Sequence, residues 1–206
     1  MLEGLMQNDF PLTLQHVRRR MRACSPDAQV ITLLEPGEVQ RASFAEVSER
    51  IDRLARALGS LGVRPGDRVA TFAWNNQRHF ELYFAIPCVG AVLHTLNIRL
   101  FEEQLTYIVN HAEDKVIFID DSLVGLLEGL APTFAGVEHY VVMGDGDAGS
   151  LPNAVRYLVH VCVPSNTACG GAGIGRIELI TGLARLSDRS APSTRRPTSR
   201  SVPSPR

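Results

Sequence analysis

The 206-residue chain is 45% hydrophobic and carries 21 basic and 22 acidic side chains, enough apolar sequence for one ordinary core, which excludes a mini-protein. The formal charge of −1 conceals an asymmetry, because the last 49 residues, Leu158 to Arg206, hold seven arginines against only Glu178 and Asp188. No apolar run approaches the roughly 20 residues needed to cross a bilayer, so no transmembrane segment is expected.

In chain order, Thr13 caps a predicted short helix with Leu14, Val17 and Met21 on one side, ending before Ser25-Pro26. Two extended runs, Gln29 to Leu34 and Val39 to Ala42, flank Glu35-Pro36-Gly37-Glu38, the composition of a hairpin turn. Ser43-Phe44-Ala45-Glu46 then supplies both halves of a capping box. Behind it Phe44, Val47, Ile51, Leu54, Leu58 and Leu61 recur at helical spacing, with Glu49, Arg50, Asp52, Arg53 and Arg56 on the wet face. Gly62 stops this helix, and Arg64-Pro65-Gly66-Asp67 turns into the apolar run Val69 to Trp74.

The alternation repeats. Asn76 to Val89 is mostly helical, with Pro87 ending or kinking it, and Ala91 to Leu96 is a short buried strand. Phe101 to His111 is a helix that turns Leu105, Ile108 and Val109 inward, and Val116 to Ile119 is a strand buried on both faces. Ser122 to Leu130 gives another helix, Tyr140 to Met143 another strand, and Leu151 to Tyr157 the start of a further element. Four strands alternating with helices predict an α/β fold, a mainly parallel layered sheet with flanking helices. From Gly144 the pattern fails, and the Arg/Ser/Pro-rich end has the composition of a disordered tail.

Cys24, Cys88, Cys162 and Cys169 lack metal or redox spacing and no secretory leader opens the chain, so a cytoplasmic setting is expected. The cluster Gly170-Gly171-Ala172-Gly173-Ile174-Gly175 has neither GxGxxG spacing nor a Gly-Lys-Ser/Thr ending, so it reads as incidental. Arginines 185, 189, 195, 196, 200 and 206 are interleaved with Pro and Ser, without aromatics, so no specific nucleic-acid partner is expected. His16, His79, His94, His111, His139 and His160 form no metal-spaced pair; His94, between a strand and a helix, is the one best placed to face a ligand, and even there a satisfied structural histidine is the expected role. Glu102-Glu103 and Glu113-Asp114 read as solvated charges near helix ends, and Trp74, Phe80 and Phe84 as core.

Two strings carry a family resemblance. Ser43-Phe44-Ala45-Glu46 opening a long helix, followed by Leu61-Gly62-Val63-Arg64-Pro65-Gly66-Asp67-Arg68-Val69-Ala70, resembles the entry to the adenylate-forming (AMP-binding) superfamily. Gly90-Ala91-Val92-Leu93-His94-Thr95-Leu96-Asn97-Ile98-Arg99-Leu100, with Gln104-Leu105-Thr106-Tyr107-Ile108 after it, is similar to bacterial medium- and long-chain fatty-acyl-CoA synthetases. The resemblance divides the chain into 11–157, the N-terminal part of such a domain, and 158–206, a tail of unrelated sequence. It implies an acid–thiol ligase that joins a fatty acid to ATP with Mg²⁺ and passes the acyl group to CoA.

The same resemblance implies parts that are not found in this sequence. No Thr-Ser-Gly-Thr-Thr-Gly-x-Pro-Lys-Gly type phosphate loop follows Tyr157, and neither the Tyr-Gly-x-Thr-Glu and Thr-Gly-Asp segments nor a C-terminal domain with a catalytic lysine occurs. No catalytic, cofactor-binding or metal residue therefore carries over, and Lys115, the only lysine, precedes a strand rather than sitting in such a motif. The fragment is expected to bind no cofactor and to be inactive alone; ATP, Mg²⁺ and CoA belong to the intact enzyme. The switch near Tyr157 fits a frameshift in a GC-rich gene, a divergent tail or a fusion alike. The alternative is a non-catalytic module that forms a homodimer or pairs with an intact synthetase. A Rossmann-type nucleotide binder is disfavoured, because no glycine-rich turn follows the first strand.

Overall fold

A serine hydroxyl followed three residues later by glutamate sets the start of the longest helix. In the computed structural model, which describes residues 12–34 and 37–157, Ser43 Oγ accepts from the Glu46 amide at 3.2 Å while Glu46 Oε2 accepts from the Ser43 amide at 2.8 Å. Helix α2 (Phe44–Ser60) runs from that cap and buries Val47, Ile51, Leu54 and Leu58. Gly62, at φ +79°, then turns the chain away in a left-handed conformation that a β-carbon disfavours.

Ahead of α2 lie α1 (Leu14–Cys24) and an antiparallel hairpin of β1 (Gln29–Leu33) and β2 (Val39–Ser43), paired Gln29 to Ser43 and Leu33 to Val39. Of the three apolar residues expected to face inward from α1, only Met21 is buried; Leu14 and Val17 are exposed. Pro36 of the hairpin turn, the Gly170–Gly175 cluster, the end arginines and the expected disorder after Tyr157 lie outside the described residues.

After α2 the chain builds β3 (Arg68–Phe72), α3 (Gln77–Cys88), β4 (Val92–Thr95), α4 (Glu102–Ala112), β5 (Asp114–Asp120), α5 (Val124–Leu127), β6 (His139–Met143) and β7 (Ala154–Arg156). The strands form one parallel sheet in the order β4-β3-β5-β6-β7. Successive side chains along each strand serve opposite faces, so those two apart share one. Val69, Val116, Phe118, Val141 and Met143 meet α2 and α3, while Ala70, Phe72, Ile117, Ile119, Tyr140 and Val142 meet α4, α5 and the loops around them. The result is a three-layer α/β/α unit, as the sequence pattern predicts.

Several elements differ from the sequence expectation. Strand β4 is the half-exposed edge of the sheet rather than a buried strand, because the chain returns across β3 to form β5. The helix expected over 122–130 is a 3-10 turn at Asp121–Leu123 followed by the four-residue α5, with Gly125 and Gly129 lowering helix propensity there. Pro87 ends rather than kinks α3, since it lies one residue from its C-terminus. The element expected at 151–157 is the fifth strand, β7.

Candidate functional site

The strand order reverses at β3: the chain leaves it for β4 on one side and comes back to β5 on the other. This is the order of flavodoxin-type sheets, in which the crevice between the carboxyl ends of the two strands flanking the reversal receives ligands. Here that place is framed by Trp74 to Asn76 after β3 and by Asp120 to Ser122 at the end of β5.

Its side chains are tied into one network. Asn76 caps α3 by accepting from the His79 amide at 3.0 Å, and its Nδ2 donates to Asp120 Oδ2 at 2.9 Å. Ser122 Oγ donates to Asp120 Oδ1 at 3.0 Å and accepts from the Trp74 indole at 3.0 Å. His79 Nδ1 lies 3.2 Å from the Trp74 carbonyl, which only accepts, so the proton sits on Nδ1 and Nε2 accepts from Thr71 Oγ1 at 3.0 Å. Burial holds His79 below the usual imidazole range, and its bond to the Trp74 carbonyl and the Asp120 charge only partly oppose this. Burial likewise raises Asp120. A crevice of about 240 Å³ beside this network is lined by Val30, Thr32, Asn76, His79, Phe80 and Tyr83 among others.

Chemically this is a shelf of fixed hydrogen bonds with one exposed indole face. Trp74, expected in the core, is 48% exposed, because its ring lies over the carboxyl edge with its N–H fixed to Ser122. The neighbouring loop is held by carboxylates: Asp121 Oδ2 accepts from the Gly146 amide at 2.9 Å, and Glu128 Oε2 from the Ser150 amide at 3.0 Å. Gly144, at φ +136°, leaves room for this clasp, since a β-carbon there would lie 2.1 Å from Asp121 Oδ2.

This edge does not fit a polyphosphate. Asp120 and Asp121 face it, and the chain's lysine is used elsewhere: Lys115 donates to the Gly62 carbonyl at 2.9 Å and pairs with Asp67 at 3.3 Å. Among the described residues no group of three or more His, Cys, Asp or Glu is placed to hold a metal ion.

Two buried constellations lie away from the edge. Glu81 of α3 is fully buried; it accepts from Arg50 Nε at 2.5 Å, from Gln77 Nε2 at 2.8 Å and from the Tyr157 hydroxyl at 2.7 Å. Burial and the Glu81 charge push the Tyr157 phenol well above its ordinary value. Arg50, expected on the wet face of α2, is thus turned inward, and its position three residues after Val47 and four before Leu54 is the signal that it borders the apolar stripe. Glu81 stands within the otherwise apolar run Phe80 to Ile86, the other legible hint. The second constellation is His94, on β4, whose Nδ1 lies 2.8 Å from Asp114 Oδ2. Asp114, expected to be solvated, is fully buried at the head of β5; burial raises it and the His94 bond opposes that.

The open parallel sheet, its reversal at β3 and the capped helix that feeds it define the class: an open, doubly wound α/β unit. Residues 18–156 match the family described as AMP-binding enzyme, and the chain belongs to that family. It is 40% identical over 188 residues to the long-chain-fatty-acid–CoA ligase of Thermus thermophilus, an alignment covering 83% of this chain and 34% of that protein. To the medium-chain-fatty-acid–CoA ligase of Ectopseudomonas oleovorans it is 38% identical over 162 residues, 76% of this chain and 29% of the relative. The chain thus spans about a third of the length of these curated relatives. A crystal structure of a putative long-chain-fatty-acid CoA ligase from Rhodopseudomonas palustris superposes with TM-score 0.60 at 29% identity over 72% of this chain and 36% of that one. A Mycobacterium tuberculosis fatty acyl CoA synthetase shares the fold, with TM-score 0.56 at 21% identity over 70% of this chain and 32% of that one.

Proposed function

We propose that residues 11–157 are the front portion of the adenylating domain of a cytoplasmic fatty-acid–CoA ligase, and that residues 158–206 are sequence of another kind. The observation that carries this reading is the family match over 18–156, joined to 40% and 38% identity with ligases named for long- and medium-chain fatty acids. In the intact enzyme the substrates are a fatty acid, ATP with Mg²⁺, and CoA. This portion supplies the sheet and its carboxyl edge; the groups that stabilise charge on the transferring phosphoryl and acyl oxygens come from elsewhere. The 206-residue chain alone is therefore inactive. Its test is pyrophosphate release by the purified chain with ATP, Mg²⁺, a fatty acid and CoA. Release that depends on the fatty acid would refute inactivity; a rate equal to the no-protein control supports it.

A second reading, a non-catalytic module that forms a homodimer or joins an intact ligase, is favoured by the outer face of the hairpin. Ile31 and Leu33 of β1 and Val39 of β2 share that face and are 56%, 71% and 48% exposed. Light scattering tests it: a concentration-independent monomer that ignores an intact ligase argues against it.

A further inference from the structure

The outer flank of α4 sets charge beside exposed aromatic surface. Residues four apart on a helix stand in one row, so Glu102, Thr106 and Asn110 make one row and Glu103, Tyr107 and His111 the next. Both rows line a groove of about 740 Å³ that runs between α4 and the segment Leu130 to Thr133. Its two walls are tied together. Asn110 Nδ2 donates to the Thr133 carbonyl at 2.9 Å, Asn110 Oδ1 accepts from the Ala135 amide at 2.9 Å, and the Thr106 and Thr133 hydroxyls lie 3.2 Å apart.

The lining suits a cation. Tyr107 is 65% exposed, and its ring stacks on His111 with centroids 5.3 Å apart and planes 8° from parallel. Glu102 and Glu103 are exposed and enter none of the ion pairs among the described residues; Arg99, the nearest cation along the chain, is not paired with them. The positive end of the α4 dipole accounts for two acids in a first turn, but not for a phenol ring standing in water beside them. A guanidinium has the complementary chemistry, because its planar face stacks on an aromatic ring while its N–H groups donate to a carboxylate.

The chain carries such cations itself. Residues 12–157 hold 14 basic and 18 acidic side chains, whereas residues 189–206 hold Arg189, Arg195, Arg196, Arg200 and Arg206 and no acid. The 32 positions from Tyr157 to Arg189 allow up to about 105 Å of chain, more than twice the roughly 40 Å width of a domain of this size. We propose that residues 189–206 dock on their own chain in the α4 groove, with arginine guanidinium groups on the Tyr107 ring and paired with Glu102 and Glu103. This inference is independent of the proposed ligase role.

Limited trypsin digestion of the full 206-residue chain, followed by mass spectrometry, tests it, because trypsin cuts after the arginines that docking covers. Cleavage after Arg189, Arg195 and Arg200 is expected to be slow at low salt and faster at high salt. Glu102→Gln with Glu103→Gln should speed it about fivefold, at a little over twofold per exposed charge pair. Tyr107→Ala should speed it about threefold. Asp145→Asn with Asp147→Asn removes as much charge from exposed positions outside the groove and should leave the rate unchanged. Glu102→Arg with Glu103→Arg should also speed cleavage, and adding Arg195→Glu with Arg196→Glu should restore slow cutting after Arg189 and Arg200. The replaced side chains of α4 are exposed, and an unchanged thermal melt verifies each fold. Equal rates in the parent and the groove variants, or the same acceleration from the Asp145 and Asp147 variant, overturn the proposal. Protection that grows with protein concentration overturns it too, since it would place the segment on a second copy.

Discussion

Replacing Arg50 by Met probes the buried Glu81 site most sharply. Glu81 is fully buried and the Arg50 side chain only 16% exposed, so solvent cannot take over the role of the lost guanidinium. The Tyr157 hydroxyl and the Gln77 amide would remain, but neither carries charge. Breaking a buried pair from one side costs about 3–5 kcal/mol, because it strands the other charge. For a domain of this size each kcal/mol lowers the melting temperature by about 3–4 °C, so a drop of about 9–20 °C is expected in thermal melts followed by circular dichroism. Removing both charges together, as Arg50→Met with Glu81→Leu, should restore much of the loss, since a neutral apolar pair needs no counter-charge. A single variant that costs less than about 1 kcal/mol, or a double variant no more stable than the single, would refute the account of Glu81 as a charge held by Arg50.

Other consequences are equally open to measurement. Ser43→Ala removes the hydroxyl half of the α2 capping box and should cost about 1 kcal/mol in urea unfolding. Gly144→Ala places a β-carbon against Asp121 at φ +136° and should cost about 1–3 kcal/mol, whereas Gly59→Ala, inside α2 with open space around it, should be neutral or stabilising. His79 is held neutral by burial, so the unfolded chain binds the extra proton first as pH falls below about 6.5, and stability should decline from there until the folded imidazole titrates. His79→Gln should flatten melting temperature against pH in that window, and an unchanged slope would assign the dependence to another group.

What the sequence made legible is what local chemistry determines. The capping box at Ser43, the stop at Gly62, the two-sided strand β5 and the strand β6 depend on neighbours a few residues away, and they stand where the pattern puts them. Whether β4 lies inside the sheet or at its edge depends instead on which side of β3 the chain returns to, and no residue of Val92–Thr95 encodes that alone. The Glu81 constellation joins residues 31 and 76 positions apart, so Arg50 looks like any surface arginine until α3 and β7 are packed beside it. Asp114 was hidden for the same reason: its partner His94 reaches it from two strands away, across β3. The carboxyl edge was not legible, since the reversal at β3 exists only once the strands are ordered, and the links from Asn76 to Asp120 and from Trp74 to Ser122 span 44 and 48 positions.

The claim at the centre of the account is that residues 11–157 serve as the front of a fatty-acid–CoA ligase. It is tested most directly by a chimera in which they replace the equivalent segment of the Thermus thermophilus relative, 40% identical to this chain. The account predicts a soluble enzyme that forms acyl-CoA from a long-chain fatty acid, ATP and CoA. A chimera that folds cooperatively yet forms no acyl-CoA would contradict it.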